Sequence, residues 1–260
     1  VSDVVCSAGP HDRPFEERHE AVCIAAVTHG TFRYRSTHGA ALLAPGALLL
    51  GNHRQCFECG HEHSAGDRCL SFQFEPDFFE TILSGIPGAR RASFHRAHLP
   101  PLPILVPLLA AAEAARGERD GEALEEIACQ LAGAAVSVLT GSARGRREPT
   151  APDERRIASA LRLIERDAHE RITLSGLARE AAMSPYHFLR VFRGVTGLSP
   201  HQYVLRTRLH RAALRLRQSS EPVSAIALEC GFNDLSTFNR RFRRVIGVSP
   251  GDWRAGRRGG

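Results

Sequence analysis

Residues 186–203 read YHFLRVFRGVTGLSPHQY, and residues 236–253 read STFNRRFRRVIGVSPGDW. At an offset of fifty positions Phe188, Arg190, Phe192, Arg193, Val195, Gly197, Ser199 and Pro200 recur as Phe238, Arg240, Phe242, Arg243, Val245, Gly247, Ser249 and Pro250, with Tyr203 answered by Trp253. One small unit is therefore present twice. Upstream, LAREAAMS is answered by IALECGFNDLS, which pairs Leu177, Ala178 and Glu180 with Ile226, Ala227 and Glu229 and leaves the second turn one residue longer. Each unit reads as a short helix, a tight turn and a second helix, with the small residues Ala182 and Gly231 where two helices must cross closely.

On a helical wheel, Phe188, Val191, Phe192 and Val195 share one side of the second helix, and Tyr186, Arg190 and Arg193 share the other. In the repeat, Phe238, Phe242 and Val245 are expected in the core, while Ser236, Arg240 and Arg243 point outward with Asn239 beside them. A helix that displays Arg, Asn, Ser and Tyr suits the DNA major groove, where Arg bonds guanine bidentately and Asn bonds adenine. The remaining Arg side chains suit phosphates. Ser184-Pro185 and Ser199-Pro200 are helix starts, since the Ser hydroxyl accepts an orphan N–H and Pro has none to satisfy. Thr173 or Ser175 can cap the helix before them. Further upstream, Ile157, Leu161, Ile164 and Ala168 fall on one face of a helix beginning near Asp153.

Charge divides the chain in the same place. Residues 1–140 hold 11 Arg against 17 acids, 141–150 hold 3 against 1, and 151–260 hold 20 against 10, within an overall charge of +6. A weakly acidic front half joined to a strongly basic back half fits one domain that meets a phosphate backbone and one that does not. The expected organisation is a domain over 1–140, a linker over 141–152 rich in Gly, Pro and Arg, and a helical domain over 153–260. No stretch of about 18 apolar residues occurs and VSDVVCSAGP lacks the pattern of a signal peptide, so a cytoplasmic protein with no membrane partner is expected.

The stretches SPYHFLRVFRGVTGLSPHQYVLRTRLHRAALRL and IALECGFNDLSTFNRRFRRVIGVSPGDWR resemble the AraC/XylS family of transcription regulators, over about residues 153–255. The resemblance implies two helix-turn-helix units joined by a long helix over 200–217, reading two adjacent major-groove segments of double-stranded DNA. Its base-reading positions fall at Tyr186, Leu189 and Arg190 and at Ser236, Asn239 and Arg240. His187, Arg193, Thr237 and Arg243 complete the DNA-facing set. Leu189 departs from the polar residue suited to such a position, and limits it to a thymine methyl or sugar. The resemblance also implies a cupin-like β-barrel in front, followed by dimerising helices. Expected partners are a second copy of the chain, a small-molecule or metal effector, and RNA polymerase.

The front half agrees with that outline. From about Glu20 to Glu75, short apolar runs separated by Gly, Pro, Asn and His indicate a small β-domain, and residues 103–140 turn helical, with Leu124, Ile127, Leu131 and Val138 near one stripe. That stripe must be buried against a second subunit or the chain's own β-domain. The fold class is thus α+β with an all-α second half.

CFECGHEHSAGDRC, residues 56–69, gathers Cys56, Cys59, His61, His63 and Cys69. Extended, it would place Cys59, His61 and His63 on one face. Three readings stand: a tetrahedral zinc site, a redox-responsive thiol cluster, and a loop with structural Cys and His. The spacing matches no zinc-finger pattern. For the whole chain, the alternatives to a non-enzymatic regulator are a metal-dependent cupin enzyme fused to a DNA-binding domain and a DNA-repair protein with a reactive Cys. An enzyme site needs an open coordination position, whereas a structural site is closed by four protein donors.

Overall fold

The computed structural model describes residues 1–9, 11–61, 66–86, 89, 93–141 and 150–256. The chain forms two compact units, one of Val1–Arg147 with Ser184–His187 and one of Glu148–Met183 with Phe188–Gly260. The linker expected over 141–152 lies mostly outside the described residues.

The first unit holds β1 (Ser2–Cys6), β2 (Phe15–Arg18), β3 (Val22–Gly30), β4 (Phe32–Ser36), β5 (Gly39–Leu43), β6 (Leu48–Gly51), β7 (Cys56–Gly60), β8 (Asp67–Phe74) and β9 (His98–Leu99). Helices α1 (Pro76–Leu83), α2 (Val106–Gly117) and α3 (Gly121–Leu139) complete it. Among the described residues the strands form two separate sheets, ordered β1-β8-β3-β6-β9 and β2-β7-β4-β5, rather than the closed barrel expected from the sequence. The chain passes from one sheet to the other at Gly30, whose φ of 75° favours glycine and whose missing Cβ leaves room for the Gly66 carbonyl.

Between the sheets lies a core of Cys23, Ala25 and Val27 from β3, Phe32 and Tyr34 from β4, Leu43, Leu49 and Cys69. Alternate residues Ile24, Ala26, Leu70 and Phe72 are buried on the other face of the five-stranded sheet, where Phe74 packs on Phe79 of α1 at 5.6 Å. This two-sided burial explains why β3 and β8 read as continuous apolar runs. Strands β1 and β2 were not visible in the pattern that begins near Glu20. β1 is an edge strand with mostly exposed side chains, and β2, FEER, is mostly charged. Of the expected stripe on α3, Ile127 and Leu131 are buried within the single chain, while Leu124 and Val138 are half-buried.

The second unit is helical: α4 (Ala151–Asp167), α5 (Leu174–Glu180), α6 (Pro185–Thr196), α7 (Pro200–Gln218), α8 (Val223–Glu229), α9 (Leu235–Ile246) and α10 (Pro250–Ala255). Along α4 and its C-cap the fully buried row is Ile157, Ala160, Ile164 and Ala168, with Leu161 only half-buried. Thr173, not Ser175, caps α5 through the Gly176 N–H. Ser199 and Gln202 form a reciprocal capping box at the start of α7. Ser199→Ala is expected to destabilise this unit by about 1 kcal/mol in a urea titration. A loss too small to measure would mean that water replaces the cap.

The repeated sequence gives repeated packing. Phe188 and Phe192 lie 5.3 Å apart at 53°, and Phe238 and Phe242 lie 5.4 Å apart at 54°. Tyr203 meets Phe192 edge-on at 5.8 Å, and Trp253 meets Phe242 likewise at 6.5 Å. Two wheel assignments need correction: Val195 and Val245, expected in the core, are 37% and 46% exposed. Both lie in the last helical turn, beyond the Phe pair that fills the interior.

Both turns carry a left-handed residue at the small position, Ala182 at φ 49° and Gly231 at φ 89°. Arg208 of α7 is buried and donates to the carbonyls of Ala168 (2.6 Å) and Glu170 (2.8 Å) at the end of α4. It thereby ties the long connecting helix to the first helix of the unit.

Candidate functional site

The second helix-turn-helix unit consists of α8, the Gly231 turn and α9. Asp234 caps α9 by accepting the N–H groups of Ser236 (3.2 Å) and Thr237 (2.7 Å). The Thr237 hydroxyl and these N–H groups hold the Asp234 carboxyl below the usual carboxylate range. This contribution to helix stability is present above about pH 4 and is lost as pH falls through the lowered value. Phe238 and Phe242 are fully buried and fix the rotation of α9. Its opposite side then exposes Ser236, Asn239, Arg240 and Arg243, with Thr237 half-buried. Four arginines within five residues, 240, 241, 243 and 244, make this helix strongly basic.

The first unit, α5, the Ala182 turn and α6, shows less. Ser184 accepts the His187 N–H at 3.4 Å at the start of α6. Arg190 and Arg193 are exposed, and Tyr186 and His187 are half-buried. Leu189 is only 4% exposed. Among the described residues no helix is long and apolar enough to cross a membrane.

The Cys/His stretch is divided by strand geometry. Side chains alternate along β7, so the two cysteines of the Cys-x-x-Cys fall on opposite faces. Cys59 packs against the core between the sheets, and Cys56 is turned away from it. Cys69 is buried in the same core, and His63 lies outside the described residues. Among the described residues, the group of donors that converges is Cys6, His61 and Asp67, with one ligand atom of each within 4.8 Å of the others. Cys6 and Asp67 were not singled out in the sequence, because their proximity depends on β1 pairing with β8, which sets Cys6 opposite Asp67. Burial and the charges of Asp67, Glu17, Cys6 and Glu58 push the Cys59 thiol up to about 12. Burial and Asp67 push Cys69 up as well.

A duplicated helix-turn-helix unit with an exposed basic face defines a DNA-binding class of domain. The AraC-like ligand binding domain family matches residues 4–132, and the helix-turn-helix domain family matches residues 177–256. The Transposon Tn10 TetD protein of Escherichia coli is 32% identical over 98 residues, covering 38% of this chain and 71% of that protein. The HTH-type transcriptional regulator Rv1931c of Mycobacterium tuberculosis is 45% identical over 78 residues, covering 30% of each. The probable transcriptional regulator LumQ of Photobacterium leiognathi is 37% identical over 87 residues, covering 34% of this chain and 35% of that one. The match thus spans about a third of the length of the latter two relatives. The crystal structure of the DNA-binding domain of AdpA in complex with a target DNA is 33% identical and covers 39% of this chain and 92% of that one, at a TM-score of 0.38. This chain belongs to the AraC family of transcription regulators.

Proposed function

We propose that the chain is a sequence-specific, non-enzymatic transcription regulator that reads two adjacent major-groove segments of double-stranded DNA through α6 and α9. The observation that carries this reading is α9, whose back is pinned by two buried Phe rings while Ser236, Asn239, Arg240 and Arg243 stand exposed on the other side. Arg240 and Asn239 suit base edges, and Ser236, Arg243 and the α6 arginines suit phosphates or further bases. The match of the first half to a ligand-binding family supports an effector-sensing role, in which a small molecule or metal shifts an existing equilibrium by binding one state better. In this reading the protein works in the cytoplasm, pairs with a second copy and contacts RNA polymerase at its promoters.

The test is enrichment of binding sites from randomised duplex DNA by the full chain. The expected result is a motif of two segments about one helical turn, roughly 10 base pairs, apart. Retention of DNA with no enriched motif would leave only phosphate binding and contradict the reading. Affinity for the enriched site should also fall steeply with salt, as counterion release requires.

A further inference from the structure

We propose that Cys6, His61 and Asp67 form a zinc-type metal site that staples the edge strand β1 to β8 and to the end of β7. It goes beyond the DNA-reading function and does not depend on it. Cys6 is far along the chain from His61 and Asp67, which lie six residues apart, and the three meet where β1 pairs with β8. Cys6 ends β1, Asp67 begins β8 opposite it in the ladder, and His61 follows β7 of the other sheet. Their donor atoms lie within 4.8 Å of one another. His61 is 4% exposed and Asp67 8%, and the His61 Nε2 lies 3.1 Å from the Asp67 Oδ2.

The composition of the group fits a divalent, borderline-soft cation. One thiolate, one carboxylate and one neutral imidazole cancel the charge of Zn²⁺, which suits a site where uncompensated charge is costly. Zinc bonds of about 2.0–2.3 Å at tetrahedral angles place donors roughly 3.2–3.8 Å apart, so closing the site needs side-chain movements of about 1 Å or less. The fourth position falls to water, which keeps the site neutral. Such a site would hold β1 in place where its other ties are the strand ladder and the exposed ion pairs of Asp3 with Arg68 and Arg116.

This ligand set differs from the run 56–69 considered as a unit, and the difference is testable. The full chain, purified under reducing conditions and dialysed against zinc and then metal-free buffer, should retain about one zinc per chain. Cys6→Ala and Asp67→Asn should lower zinc affinity on the order of 100-fold or more, while Cys56→Ser, on the opposite face of β7, should retain the metal. Circular dichroism establishes that each variant is folded. Cobalt(II) added to the unaltered protein gives a reading independent of variants, with thiolate-to-metal absorption and tetrahedral d–d bands expected. Folded protein that holds no zinc, cobalt spectra without thiolate ligation, retention of zinc by Cys6→Ala, or its loss from Cys56→Ser would each overturn the proposal.

Discussion

Gly231→Ala is expected to destabilise the helical unit by about 3 kcal/mol, through left-handed strain and overpacking together. Gly231 sits at φ 89° in the turn of the second helix-turn-helix unit, a conformation that a Cβ disfavours. The added methyl would also lie 2.8 Å from the His169 carbonyl oxygen and 2.9 Å from the Arg208 Nε. Neither neighbour yields easily, because one is backbone and the other is a guanidinium held by two hydrogen bonds. Urea unfolding followed by Trp253 fluorescence measures the loss, since Trp253 is the chain's single Trp and lies in this unit. A loss under about 1 kcal/mol would show that the turn relaxes away from His169 without cost.

Arg208→Met is the second large effect, again about 3 kcal/mol. The guanidinium satisfies the Ala168 and Glu170 carbonyls, where α4 ends and its orphan acceptors need donors. Methionine fills much of the space and bonds neither carbonyl. Gly231 and Arg208 meet at one node, so the double variant should lose less than the sum of the two single losses. Strict additivity would mean that the turn and the α7 tie act separately.

The helical half was legible because its evidence is local and repeated. The offset of fifty between Phe188 and Phe238, the caps at Ser184 and Ser199, and the small residues at 182 and 231 each need only a few neighbouring positions to be read. Where the wheel failed, at Val195 and Val245, the outcome depended on where the helix ends, which periodicity does not encode. The first half was less legible because its order comes from non-local strand pairing. A barrel and a two-sheet arrangement produce the same alternation of short apolar runs, and only the ladders distinguish them. The Cys-x-x-Cys run drew attention through its density, yet strand alternation separates Cys56 from Cys59. Cys6, near the other end of the β-domain, was brought in by the β1–β8 pairing.

In the proposed function α6 and α9 each read bases in a major-groove segment of their own. The most direct measurement is the affinity of the unaltered chain, Arg190→Ala and Arg240→Ala for the enriched DNA site and for each of its single base-pair variants at fixed salt. The account predicts a loss of about 1–3 kcal/mol for each variant, concentrated at one base position, with the two positions about one helical turn apart. Equal losses on every sequence, or both losses at the same base pair, would contradict it.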